Sequence, residues 1–211
     1  MERDVSLMVH PRRDVILRAI AAHDNGWAES DAAPTVNPAT GEVIDFVHVP
    51  VGVRQTAVPR SAALLADDPW AAALVAQHAL TVYDRFRPDA EWARYFADLT
   101  TTRAELLRIS GMSLADLEAD YKYLRLADLI SLAYCTGSTD ELRFGEWIVK
   151  LTGSRVVVTP DVFGGAEIPI EIATREIPRR KFASDSELRA ALSEAPTTIL
   201  RGVVARRPGR E

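Results

Sequence analysis

Residues 12–27 read Arg12-Arg13-Asp14-Val15-Ile16-Leu17-Arg18-Ala19-Ile20-Ala21-Ala22-His23-Asp24-Asn25-Gly26-Trp27. Positions 12–25 predict a helix, because Val15, Ile16, Ala19 and Ile20 recur at helical spacing and Asn25-Gly26 supplies a stop. His23 follows Ala19 by four residues and Asp24 follows Ile20 by four, so both are expected on the apolar side. An imidazole beside a carboxylate at the negative end of a helix dipole is metal-ligand chemistry, provided further ligands arrive from elsewhere.

Two such ligands lie on helices further along. Asp67-Asp68-Pro69 starts a helix to about Phe86, with Asp68 as cap and Pro69 in the first turn. Ala71, Leu74, Val75, His78 and Val82 share its apolar stripe, which turns His78 inward. A third helix is expected over about 90–109, burying Trp92, Phe96, Leu99 and Leu106. Ser113 and Asp116 then cap a fourth, about 114–135, whose inward face carries Leu117, Tyr121, Leu124, Asp128, Leu132 and Cys135. Asp128 is thus a carboxylate among core positions.

Between these helices the character changes. Residues 28–66 read as a long loop broken by Pro34, Pro38, Pro50 and Pro59, with only Val43–Val49 as a short strand, and are placed to cover the His-Asp pair. His48 in this loop is expected in solvent or swung over the site. A short helix over about 139–151 is read from Phe144, Trp147 and Ile148. Strands at Val156–Thr159, Glu167–Ile172 and Thr198–Val204, with a helix over 184–194, follow, and Pro208 to Glu211 are expected to fray. The expectation is a mainly α bundle, residues 1–151, carrying the His-Asp site. A small α+β module, residues 152–211, packs on it.

Imidazole and carboxylate ligands on inward faces are costly unless paired or bound to metal. His23, Asp24, Asp128 and His78 are therefore the candidate metal ligands, for a divalent ion such as Fe, Mn or Zn. Each residue also has a plainer reading. A lone inward histidine is more often a hydrogen-bonded core residue, and Asp128 can accept from Arg125, a tyrosine hydroxyl or the histidines without metal.

Composition narrows the class. The 211-residue chain has globular apolar and charged fractions and a formal net charge of −5, which argues against non-specific nucleic-acid binding. No run approaches the roughly 20 apolar residues of a membrane span, and the start lacks a signal-peptide core. The single cysteine, Cys135, excludes an internal disulfide and fits a cytoplasmic location. There is no Walker loop, dinucleotide-binding glycine turn or Cys-x-x-Cys pair; Gly164-Gly165 reads as a turn.

The stretch 12–27, with Asp31 to Pro34 and Pro38 to Gly41, resembles the opening of an uncharacterised bacterial family, domain of unknown function 3891. The likeness continues through Asp68-Pro69-Trp70-Ala71-Ala72-Ala73-Leu74-Val75-Ala76-Gln77-His78 and Tyr123-Leu124-Arg125-Leu126-Ala127-Asp128-Leu129-Ile130-Ser131-Leu132. A looser likeness is to the HD superfamily of metal-dependent phosphohydrolases, whose ligands run His, then His-Asp, then a distant Asp. His23-Asp24 is similar to the dipeptide and Asp128 to the last position.

That likeness implies an HD-like helical bundle and a small-molecule substrate, a phosphate ester or nucleotide. His23, Asp24 and Asp128 would hold the ion, and His78 would be fourth ligand or proton donor. On it, His78 and Asp24 are the candidate catalytic groups. The upstream His-bearing segment normally present is missing, and His10, only 13 residues before His23, is a poor substitute. Either the chain is truncated, or the site is incomplete and His78 takes the vacant place. The alternative is a non-catalytic sensor or interaction module that kept the helical scaffold. A third reading, an HD-like iron oxygenase, generally requires more His and Asp positions.

Overall fold

The computed structural model describes residues 1–205; the expected fraying of Pro208 to Glu211 lies outside them. Eight helices are present among the described residues: α1 Val5–Met8, α2 Arg13–Ala22, α3 Ala28–Ala32, α4 Val51–Ala63, α5 Pro69–Val82, α6 Ala93–Ser110, α7 Leu114–Thr136 and α8 Asp185–Glu194. Five strands join them: β1 Leu142–Phe144, β2 Trp147–Thr152, β3 Arg155–Thr159, β4 Ile168–Arg175 and β5 Thr197–Ala205.

Local chemistry explains the principal helices. The Asp68 carboxylate accepts the Ala71 amide at the start of α5, where Pro69 needs no amide partner. Nearly every residue of α5 from Trp70 to Leu80 is buried, so this helix lies at the centre of the helical layer and carries His78 inward whichever way it faces. A complete capping box between Ser113 and Asp116 opens α7.

The strands form one mixed sheet in the order β1-β2-β3-β5-β4. All neighbours are antiparallel except β3 and β5, which run parallel because β5 returns through α8 to insert between β3 and β4. This sheet overturns the expected mainly α, HD-like helical bundle: the chain is an α+β fold. The error has a physical source at 139–151. Phe144, Trp147 and Ile148 fall at helical spacing, but Trp147, Val149 and Leu151 alternate, and alternation wins. Gly145, with φ of 55°, makes the two-residue turn that pairs Phe144 with Trp147.

The 28–66 segment also departs from expectation. It contains α3 and α4, and Val36 and Val43 form an isolated bridge where a strand over Val43–Val49 was expected. Helix α4 begins after Pro50 and continues through Pro59.

Two cores meet on α7. Leu117, Tyr121 and Leu124 join the helical core with residues of α2, α5 and α6. Leu126, Leu129, Ala133 and Tyr134 join Trp147, Val149, Leu151, Val156 and Val158 under the sheet. A third, small core of Val36, Phe182 and Leu188 holds the 34–48 segment to α8.

Candidate functional site

Helices α2, α5 and α7 pack on one another, and each delivers one polar side chain to the contact. His23 ends α2, His78 lies in the third turn of α5, and Asp128 lies midway along α7. One ligand atom from each of His23, His78 and Asp128 falls within 4.8 Å of the others. Their side chains are 12%, 5% and 10% exposed. The two imidazole rings meet edge to face, centroids 5.1 Å apart.

Hydrogen bonding fixes the orientation of the His23 ring and tethers that of His78. His23 Nδ1 lies 2.7 Å from the Ile20 carbonyl oxygen, an acceptor, so Nδ1 carries the proton and Nε2 presents a lone pair. That Nε2 is buried, 3.1 Å from Asp24 Oδ2 and 3.9 Å from Asp128 Oδ1. His78 Nδ1 meets the Tyr121 hydroxyl at 3.2 Å, leaving its Nε2 4.0 Å from the same oxygen. The other oxygen of Asp128 is held by Arg125. The two Nε2 atoms and Asp128 Oδ1 thus converge without a direct hydrogen bond between either imidazole and Asp128.

Burial and neighbouring charge shift the three groups differently. Burial alone would lower the His23 imidazole, but Asp24, the Ile20 carbonyl and Asp128 outweigh it and raise its pKa. Burial raises the Asp128 carboxyl above its ordinary value, against Arg125 and His23. Burial also pushes His78 down to about 3, with the charges of His23 and Arg125 acting the same way. Two of the three groups thus favour a bound proton, and the third is held neutral and ready to donate a lone pair.

Asp24 occupies a different position from its three companions. It lies past the helix end with its side chain 63% exposed, and its Oδ2 is 3.1 Å from His23 Nε2. It flanks the cluster as its most exposed member. The turn that follows is clamped to α4. Gly26 donates its amide to Ser61 Oγ at 2.8 Å, and a Cβ at residue 26 would lie 1.8 Å from the Ala57 carbonyl oxygen. Only glycine fits there, which accounts for Gly26 beside the His-Asp pair.

The remaining histidines serve elsewhere. His10 sits 3.3 Å from the fully buried Asp120, which also binds Arg12 through two nitrogens and accepts the Trp70 indole N–H at 3.0 Å. Sequence reasoning missed this network because its members are scattered over residues 10–120. His48 pairs with Asp45 in an exposed loop, lining an open cleft of about 820 Å³ against residues 177–182. Tyr121, visible in the sequence only as a core position, is the other residue that reasoning from the sequence did not single out for the site.

No curated protein and no solved structure matches the chain. A family profile described as "Protein of unknown function (DUF3891)" matches residues 3–179, a span that contains every residue of the cluster. The chain belongs to the DUF3891 family.

Proposed function

We propose that His23, His78 and Asp128, with Asp24 at the open side, hold a divalent cation and that the protein is a metal-dependent hydrolase. One observation carries this reading: one ligand atom from each of two imidazoles and a carboxylate, on three separate helices, converge within 4.8 Å in a largely buried position. The donor set of nitrogen and oxygen suits Zn, Fe or Mn. Such an ion lowers the pKa of a bound water and polarises the bond that water attacks. With two carboxylates, one Arg125 and neutral imidazoles, a divalent ion leaves the site at net +1, which favours an anionic substrate such as a phosphate ester or nucleotide.

The alternative is a non-catalytic module whose four polar residues close on one another. The pairing of His23 with Asp24 at 3.1 Å, of Asp128 with Arg125 and of His78 with Tyr121 favours it, whereas the imidazole–Asp128 separations of 3.9 and 4.0 Å leave the network open at its centre.

Elemental mass spectrometry on protein purified without a histidine tag or chelator tests the proposal. Near-stoichiometric Fe, Mn or Zn is expected in the wild type, lost in His23→Ala and in Asp128→Ala. A wild type that takes up no added metal, or equal metal content in both variants, refutes it. Metal-loaded protein should then hydrolyse members of a phosphate-ester panel, and the same variants should lose that activity.

A further inference from the structure

Strand β5 lies inside the sheet only at its end. Val203, Val204 and Ala205 run beside Arg155, Val156 and Val157 of β3, whereas residues 197–202 pair with β4 alone. Residues 197–201 are all exposed, and Ile199 and Leu200 are each 45% exposed.

One hydrogen bond tells which backbone groups are open. The Val203 amide donates to the Ser154 carbonyl at 3.0 Å, so the N–H and C=O of Val203 point to the β3 side. Backbone groups alternate in direction along a strand, and those of Thr197, Ile199 and Arg201 therefore point to the same side, beyond the start of β3. Among the described residues no other backbone group bonds to them there. Natural sheets blunt such edges with lysine, proline or a bulge. Residues 197–201 contain neither lysine nor proline and pair with β4 in unbroken register. Their one charged side chain, Arg201, is already bonded to Glu171 of β4 at 3.0 Å.

We propose that this edge pairs antiparallel with the same edge of a second copy of the chain, about a two-fold axis at Ile199. In that register Ile199 lies opposite the second copy's Ile199, Thr197 opposite its Arg201 and Thr198 opposite its Leu200. Every open N–H then meets an open C=O. The occupant is a second copy because the edge is complementary to itself. The two-fold leaves no open group unmatched, sets no like charges directly opposite, and brings together the exposed aliphatic side chains of both chains. Strand β4 lies on the far side of β5 and does not obstruct the approach. With only this short stretch on each side, the contact belongs to the weak end of specific interfaces.

Sedimentation equilibrium of the full-length protein, taken up to about 1 mM, should show a reversible monomer–dimer equilibrium. Ile199→Pro removes an N–H that serves only the open edge, so pairing with β4 is kept. The two-fold doubles that loss, and the dimer should weaken at least about tenfold. Ile199→Lys sets two cations directly opposite and should also weaken it; this variant keeps every backbone N–H and so covers a folding failure of the proline variant.

Hydrogen exchange reads the register. The amides of Ile199 and Arg201 should slow as protein concentration rises, while those of Thr198 and Leu200, which face β4, should not change. A wild type that stays monomeric throughout overturns the proposal and assigns the edge to a strand of another protein. A dimer that both variants retain, or edge amides indifferent to concentration, overturns it as well, because the contact then lies elsewhere. None of these residues belongs to the cation cluster, so the outcome is independent of the metal-centre reading.

Discussion

At the scale of single residues, the two clustered histidines oppose each other in their effect on stability. Burial holds His78 at about 3 in the folded, metal-free protein, against 6.5 in the unfolded chain. As pH falls below 6.5 the unfolded chain takes up a proton at this position that the folded chain refuses. Stability therefore falls with acid, at a limiting slope of about 1.4 kcal/mol per pH unit. His23 is raised above 6.5, so on the alkaline side the folded chain keeps a proton that the unfolded one has lost. Stability then falls again as pH rises through that elevated value. Urea unfolding of metal-free protein across pH 5–8 should show a maximum near 6.5, and His78→Gln should flatten the acid limb. An acid limb unchanged in that variant would show that other groups produce it.

Asp120 is a second residue-scale case. Asp120→Ala removes the common acceptor of Arg12, His10 and Trp70 and is expected to cost about 3 kcal/mol of unfolding free energy. Arg12 lies partly in solvent, which keeps the loss at the low end for a buried pair. Chemical denaturation compares it directly with wild type. Single-residue identities such as His23 and Asp128 were legible in the sequence because each sat at a core spacing on a helix. Their outer partners were not legible, since nothing along the chain says which tyrosine or arginine a buried imidazole will meet.

At the scale of elements, legibility followed the strength of local signals. Helices α2, α5, α6, α7 and α8 announced themselves through apolar periodicity and caps such as Asp68 and the Ser113–Asp116 box. Helix α4 did not, because Gly52 and Pro59 are poor helix formers. It exists through tertiary contact: Ala57, Val58, Ser61 and Ala62 are buried, and Ala57 and Ser61 meet Gly26. Gly26→Ala should therefore force α4 away from the turn after His23-Asp24, at a cost of about 3 kcal/mol. Ser61→Ala strands the buried Gly26 amide and should cost about 1–2 kcal/mol. Thermal unfolding measures both, and a neutral Gly26→Ala would mean that the clamp yields without strain. The β1–β2 hairpin was misread for the opposite reason. Two periodicities overlap over 144–151, and the sheet behind them, which decides the matter, is assembled partly from β5, some 50 residues later in the chain.

At the scale of the whole molecule, the helical and sheet layers are not independent, because α7 is a wall of both cores. The Ser113–Asp116 box is exposed at its start, yet a helix shared this way transmits a local loss everywhere. Ser113→Ala is expected to lower global stability by about 1 kcal/mol in one cooperative transition. Helical and aromatic-side-chain signals should report the same midpoint; separate midpoints would show that the layers unfold apart. The overall α+β architecture was hidden from sequence reading because a mixed sheet is a long-range object. Its one parallel pairing, β3 with β5, joins residues 155–157 to 203–205.

The shared helix also bears on what a bound ion would do far from its ligands. On α7, Asp128 is flanked by Leu126 and Leu129, which join the core under the sheet, while Leu117, Tyr121 and Leu124 nearer the start of α7 join the helical core. An ion gripping that carboxylate penalises every excursion in which α7 loosens, including those that bare the sheet. Backbone amides of Val149 and Val156 should then exchange with solvent deuterium more slowly in ion-loaded protein, although neither residue belongs to the ion's ligand cluster.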